Sequence, residues 1–379
     1  MRPTCLEVDL DALRRNFAAA RDLAEGGPLL VAVKGNAYGH GLVPVSRALL
    51  DAGAAFLGVA TVDEGAALRA SGIEAPILVM GGYLPEEAPD LVAARLRAAV
   101  FTEEQVGPLA AAARAAGEPL PVHVKVDTGM GRIGFAPDAA PALLKRLLAT
   151  EGLAVEGVYT HFAEADLADS PAAAGQLSRL LKVHAELGPD AARIPYWHAA
   201  NSAALMRRLA PPGGGPMPPA LYRPGIMLYG QPPDPGFVPP MPLAPVATWK
   251  CRLIQVKRVP AGTPISYGRT FVTGRESRIA TLPVGYADGY RRALSSRGKV
   301  LVRGRRVPVV GRVCMDMTMI DVTDLPDGVA VGDEAVLLGR QGDAEITATE
   351  IADTCATIAY DILCGVSERV PRRYVGSRV

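Results

Sequence analysis

The sequence has 379 residues, 49% hydrophobic and 21% charged, with 40 Lys plus Arg against 39 Asp plus Glu. A chain of that length points to two domains, and its composition supports a packed core. The even charge balance excludes a protein built to hold nucleic acid or an acidic membrane surface, and no apolar run is long enough to cross a bilayer.

Met1–Leu10 lacks the basic start and long apolar stretch of a secretory signal, and the five cysteines are scattered, with no CxxC pair. Reduced thiols in a cytoplasmic protein are expected, with neither a disulfide frame nor a metal site.

Eight short β-type runs come first: Leu29–Lys34, Phe56–Ala60, Ile77–Met80, Ala98–Phe101, Val122–Asp127, Val155–His161, Tyr196–His198 and Gly225–Leu228. Between them the apolar residues fall at helical spacing, as in Glu64–Ala70, Glu103–Ala116 and Ala142–Leu148, with Thr102, Asp138 and Ser202 as helix starts. Eight strands alternating with helices predict a parallel (β/α)₈ TIM-type barrel, with an open doubly wound sheet as the alternative. A Pro211–Pro219 loop and then seven prolines in 232–245 mark an inter-domain connector, dividing the chain into 1–235 and 236–379. The first few residues are free to pack with the second domain.

Beyond the connector, Val246–Val259, Ser277–Val284, Lys299–Val302, Val307–Val313, Met317–Val322 and Glu334–Leu338 are short β-branched runs between turns. One helix interrupts them, opened by a Thr347/Glu350 capping box ahead of Ile351–Leu363. The second domain is mainly β.

In a barrel of this kind, chemistry sits at the C-terminal ends of the strands. Lys34 ends the first run and precedes a glycine-broken Gly35-Asn-Ala-Tyr38-Gly-His-Gly41. A lysine there is costly to bury charged, so its pKa should fall toward the nucleophilic range. The segment Val31–Gly41 resembles the cofactor-lysine motif of the alanine racemase family, with Gly35 where that family usually has Ala. Further segments resemble family motifs in family order: Lys125–Gly134, Tyr159–Ala163, His198–Ser202, Arg223–Ile226, Ser266–Gly268, Gly285–Tyr290 and Cys314–Asp316. Together they span nearly the whole chain.

The resemblance implies pyridoxal 5'-phosphate held by Lys34, and interconversion of L- and D-alanine to supply D-alanine for peptidoglycan. It also implies a homodimer with shared active sites. Tyr38, Asn201, Ser202, Gly225, Ile226 and Tyr360 would hold the phosphate end, a task suited to free backbone N–H groups and hydroxyls. Beside Tyr360 the chain departs from the family, with Ala359 where Asn is frequent. Arg223 would face the pyridine nitrogen and, unable to yield its proton, would keep the ring largely unprotonated. Racemisation needs a base on each face of the α-carbon. Lys34 serves one and Tyr267, from the partner subunit, the other, with His161 and Arg223 as cations near the phenol. Arg132 suits a substrate carboxylate, and Met315, Asp316 and Tyr286 shape the same side. Lys125 resembles a lysine often carbamylated in the family, with a plain ion-paired lysine as the alternative. His198 reads as a supporting residue. A serine-acting or broad-specificity racemase shares this scaffold. A related decarboxylase would carry an acidic residue in place of Arg223, and barrel-only cofactor carriers lack the second domain.

Overall fold

The computed structural model describes residues 2–167, 170–209 and 220–377. The expected Pro211–Pro219 loop lies outside the described residues.

The chain opens with β1 (Thr4–Asp9), and the helix Leu10–Leu23 follows, capped by the Asp9 carboxylate on the N–H groups of Asp11 and Ala12. Then come β2 (Leu30–Ala32), β3 (Phe56–Val59), β4 (Ile77–Val79), β5 (Arg97–Val100), β6 (Leu120–Lys125), β7 (Leu153–Tyr159) and β8 (Tyr196–His198). They pair in parallel and in chain order, and most of their residues are buried, as strands covered by helices must be. Closure is irregular. In place of the expected strand Gly225–Leu228, the segment before it bridges both edges: Ala220 pairs with Trp197 and Tyr222 with Leu29. Ile226–Tyr229 instead forms a 3₁₀ turn. Pro224, which has no N–H to give, lies just before that change, and its carbonyl accepts from Ala32.

The second half contains β9 (Ala247–Arg252), β10 (Gln255–Val259), β11 (Pro264–Ile265), β12 (Phe271–Val272), β13 (Ser277–Leu282), β14 (Lys299–Val302), β15 (Arg305–Pro308), β16 (Thr318–Asp321), β17 (Glu334–Gln341), β18 (Ala344–Ile346) and β19 (Arg372–Val375). One sheet runs β15-β14-β17-β9-β1-β19, so the first strand of the chain completes the sheet of the second half. A smaller sheet is β10-β13-β16. The expected single strand Val246–Val259 is thus two strands in different sheets, broken at Leu253-Ile254. The expected helix Ile351–Leu363 is likewise two, Ala348–Cys355 and Ala359–Cys364, because Ala356 takes a left-handed turn at φ 55°.

The proline-rich connector is tied down by buried Asn16, whose amide donates to Leu228 O and Ala244 O and whose oxygen accepts from Ala244 N. No helix among the described residues is long and apolar enough to cross a membrane.

Candidate active site

Lys34 follows β2 at the barrel mouth, and the chain then makes a left-handed turn. Gly35, Asn36, Ala37 and Tyr38 all have φ between 52° and 64°. Such backbone disfavours L-residues by about 1–2 kcal/mol each, so neighbours must hold it. Gly35, free of a Cβ, tolerates it. Glu64 accepts from the N–H groups of Gly35 and Ala60 at 2.6 and 2.8 Å. His40 Nδ1 donates to Ala37 O and Tyr38 O, and Asn36 Oδ1 accepts from Leu42 N at 2.7 Å. Burial, aided by Arg132 and Arg223, lowers the Lys34 pKa from the usual lysine value.

The turn brings Tyr38 over the closing segment. Its ring stacks on Tyr229 at 4.6 Å and lies 6.0 Å from Tyr360. Burial raises the pKa of both Tyr38 and Tyr360 far above the ordinary phenol value, so each remains a hydroxyl. Beside them the helix Ser202–Met206 is capped by Asn201, not by Ser202: Asn201 Oδ1 accepts from Ala204 N at 3.0 Å. That frees Ser202 Oγ to accept from Gly225 N at 2.9 Å, next to buried Ile226. Asp138 does not cap the helix Ala140–Leu148 that follows it either; Ala139 takes that position, and Asp138 pairs with Lys182.

Arg223 is 5% exposed. It donates from NH1 to His198 Nδ1 at 2.9 Å and from NH2 to Thr160 O and Ala199 O at 2.6 and 3.0 Å. Three of its five N–H donors are thereby used within the protein. Burial pulls its pKa down to about 10, which still leaves a cation at neutral pH. Near it, burial first and then the cations Arg223, Arg132 and Lys34 hold His161 well below the ordinary imidazole value. His161 is therefore neutral, which leaves Arg223 as the cation of that pair.

Lys125, at the end of β6, is 2% exposed. Its amine donates to Val126 O at 3.0 Å and lies 5.6 Å from the centre of the Tyr159 ring, with no carboxylate ion pair among the described residues. Burial, then Arg223, pulls its pKa down to about 8. The loop that follows holds the exposed Arg132 and is pinned by Asp127, whose carboxylate accepts from the N–H groups of Gly129, Met130 and Gly131. Asp127 and Glu64 went unrecognised in the sequence; the only signal was an acidic residue beside a run of glycines or at a helix start.

Tyr267 belongs to a different surface. It sits at the tip of the β11–β12 hairpin, is 71% exposed, and makes no side-chain hydrogen bond among the described residues. Ser266, just before it, has φ 68° and ψ −178°, a strained region held by its hydroxyl bond to Arg312 O at 2.6 Å. Met315 and Tyr286 are exposed close by, their loops joined by Tyr286 N to Cys314 O and Ala287 N to Met315 O. Asp316 pairs with Arg369 at 2.7 Å.

Lys34, Tyr38, Tyr360, Ser202, Gly225, Arg223, His161, Lys125 and Arg132 thus gather at the barrel mouth, while Tyr267, Tyr286, Met315 and Asp316 lie on the β-rich half. The family described as alanine racemase, N-terminal domain, matches residues 8–233, and the alanine racemase C-terminal domain matches 246–374. The chain is 50% identical to the alanine racemase of Symbiobacterium thermophilum, covering 99% of this chain and 98% of that one. It is 46% identical to that of Halothermothrix orenii, covering 98% and 97%. Among solved structures, the alanine racemase of E. faecalis superposes with a TM-score of 0.90 at 37% identity, covering 99% and 98%. That of Bacillus anthracis, with bound L-Ala-P, gives 0.89 at 38%, covering 99% and 96%. The chain belongs to the alanine racemase family.

Proposed function

We propose that this protein interconverts L- and D-alanine with pyridoxal 5'-phosphate at the barrel mouth, using Lys34 and Tyr267 of the partner subunit as its two bases. Family membership over the full chain carries the reaction, and the placement of Lys34 supports the cofactor. When bound, pyridoxal phosphate withdraws electrons from the substrate α-carbon and so makes its proton removable.

The residues present fit that group. Ser202, Tyr38, Tyr360, Gly225 and Ile226 offer hydroxyls and backbone N–H groups in one cluster, helped by Asn201, which holds the helix start. Gly225 leaves a cradle there: a Cβ on it would stand 2.6 Å from the Tyr38 hydroxyl. Arg223 keeps two N–H donors for the ring nitrogen and, as a cation, does not let that nitrogen take a proton. His161 packs among the same cations.

The lowered Lys34 amine exchanges a proton with one face of the α-carbon; the Tyr267 phenol exchanges one with the other. Arg132 pairs with the substrate carboxylate, flanked by Met315, Asp316 and Tyr286. Lys125, neutral much of the time near pH 8, can add carbon dioxide and release a proton, becoming a carbamate anion beside Arg132. Its lack of a carboxylate ion pair among the described residues favours this over a plain ion-paired lysine. A shared site needs a homodimer, and the exposed Tyr267, Met315 and Tyr286 supply a surface for it. D-alanine for the cell wall is the product.

The test is chiral separation of products after incubating the purified protein with L-alanine and with L-serine. Borohydride reduction and peptide mapping should place a pyridoxyl group on Lys34. Conversion of serine but not alanine, or an adduct on a different lysine, overturns the reading.

A further inference from the structure

A line of polar side chains runs through the barrel interior below Arg223. Arg223 NH1 meets His198 Nδ1 at 2.9 Å, His198 Nε2 meets His123 Nδ1 at 2.9 Å, and His123 Nε2 meets Glu156 Oε2 at 3.1 Å. Glu156 in turn is held by Arg97, through Nε at 2.6 Å and NH2 at 3.1 Å. The residues come from the closing segment and from β8, β6, β7 and β5, so the line crosses four strands of the barrel. His198 and His123 are buried, and their rings stand edge to face at 5.0 Å.

The chemistry of the two ends fixes every proton between them. A guanidinium only donates, so His198 Nδ1 accepts and the His198 proton sits on Nε2. That proton points at His123 Nδ1, which must accept, so the His123 proton also sits on Nε2. There it meets Glu156, and a carboxylate only accepts. Counting from Glu156 gives the same result. A second proton on either ring would set two N–H groups face to face. The direction is therefore single: Arg223 to His198 to His123 to Glu156.

Arg223 is a buried cation with no salt bridge among the described residues. The charges and rings around it are Tyr159, 5.3 Å away over its face, and Lys125, His161 and Lys34, which give it no anion. A buried charge needs compensation. Glu156 is the anion to which its hydrogen bonds lead.

We propose that Glu156 is a positioning residue for the racemase: through His123 it fixes the tautomer and acceptor strength of His198, and thereby the setting of the Arg223 guanidinium. The tautomer chain stands on geometry alone; its effect on the rate rests on the reading that Arg223 faces the cofactor ring. In Glu156→Gln the amide either presents its oxygen, a weaker acceptor, or its NH₂, which reverses the chain and turns a His198 N–H against Arg223. In both cases the hold on Arg223 loosens.

The protein has five histidines, so ¹⁵N imidazole signals of the labelled holoenzyme can be assigned one by one. The wild type should carry the His198 and His123 protons on Nε2 throughout neutral pH. Glu156→Gln should move the His198 signals and lower kcat on the order of tenfold, with KM for alanine nearly unchanged, as expected for weakening a charge-assisted hydrogen bond. A His198 proton on Nδ1 in the wild type overturns the chain, and that measurement decides even if the variant does not fold. So do His198 signals in Glu156→Gln identical to the wild type, which would reduce Glu156 to an ion-pair partner of Arg97. Failure of the Arg223 reading looks different: His198 responds, but kcat does not, and Arg223→Lys leaves the visible absorbance of the bound cofactor as it was. The catalytic half of the proposal then falls and the tautomer chain stands.

Discussion

Gly225 lies directly beneath the Tyr38 hydroxyl: a Cβ built on it stands 2.6 Å from the phenol oxygen and 3.5 Å from Ala32 Cβ. Tyr38 has little room to retreat, because its ring is buried against Tyr229. Gly225→Ala should therefore lower stability by about 1–3 kcal/mol, the usual effect of overpacking. Pyridoxal phosphate should also be held more weakly, since Tyr38 and Gly225 belong to the cradle proposed for its phosphate. Adding Tyr38→Phe removes the clashing oxygen and should recover most of the stability, though not the cofactor affinity. Urea melts and cofactor titration measure the two effects separately, and additive stability losses would contradict the contact.

Glu156 makes a prediction about acid. Burial works against its charge, but hydrogen bonds from His123 and Arg97 outweigh it and hold the pKa down to about 2, against an ordinary 4.5. A carboxyl depressed in the fold adds stability that is complete above its unfolded pKa and lost as pH falls toward the folded one. The window is pH 4.5 down to about 2, and the contribution is on the order of 3 kcal/mol. Denaturant melts should show the wild type losing stability across that window, with Glu156→Gln losing less. Equal slopes for the two proteins would refute the assignment.

Lys125 should be found modified. Burial, then the Arg223 cation, holds the amine at about 8, so an appreciable neutral fraction is available to react with dissolved carbon dioxide. Protein equilibrated with ¹³C-bicarbonate should give one carbamate carbon signal that is missing from Lys125→Met. The same substitution should raise KM for alanine more than it lowers kcat, because the carbamate would lie beside Arg132, the residue proposed to pair with the substrate carboxylate. A spectrum without that signal would leave Lys125 as a plain amine.

The barrel strands were legible because a strand buried on both sides must be apolar throughout, and Val31, Leu57, Leu78 and Val124 belong to such runs. Lys34 was legible as a charge breaking that rule at a strand end, and Arg223 only through its resemblance to a family motif. Closure was not: Leu221-Tyr222-Arg223 has too few residues and too few ladder bonds to leave a pattern, and the apolar run Gly225–Leu228 beside it, most of which is a 3₁₀ turn, took its place in the reading. The long helix near the C-terminus misled for a similar reason, since helical spacing continues across Ala356 while the backbone turns left-handed. Asn16 and Glu156 were invisible because their partners lie far away in sequence: Leu228 and Ala244 for one, Arg97 and His123 for the other.

The last prediction concerns Tyr267 and Lys34. Within one chain, Lys34 sits in the barrel mouth while Tyr267 stands 71% exposed at the tip of a hairpin on the β-rich half. A phenol acting as a base needs cations near it, and Arg223 and Lys34 lie at the barrel mouth. A two-fold dimer can bring each tyrosine over its neighbour's lysine and build two identical sites. Lys34→Ala and Tyr267→Phe proteins should each be severely impaired alone. Dissociated, mixed and reassociated, about half of the dimers become hybrids by random pairing, and each hybrid holds one site with both defects and one with neither. About a quarter of wild-type activity should then return. If both residues served a site within one chain, every site in the hybrid would keep a defect. Hybrids confirmed by mass that regain no activity would rule out sharing, whereas recovery would assign Tyr267 to the neighbouring barrel.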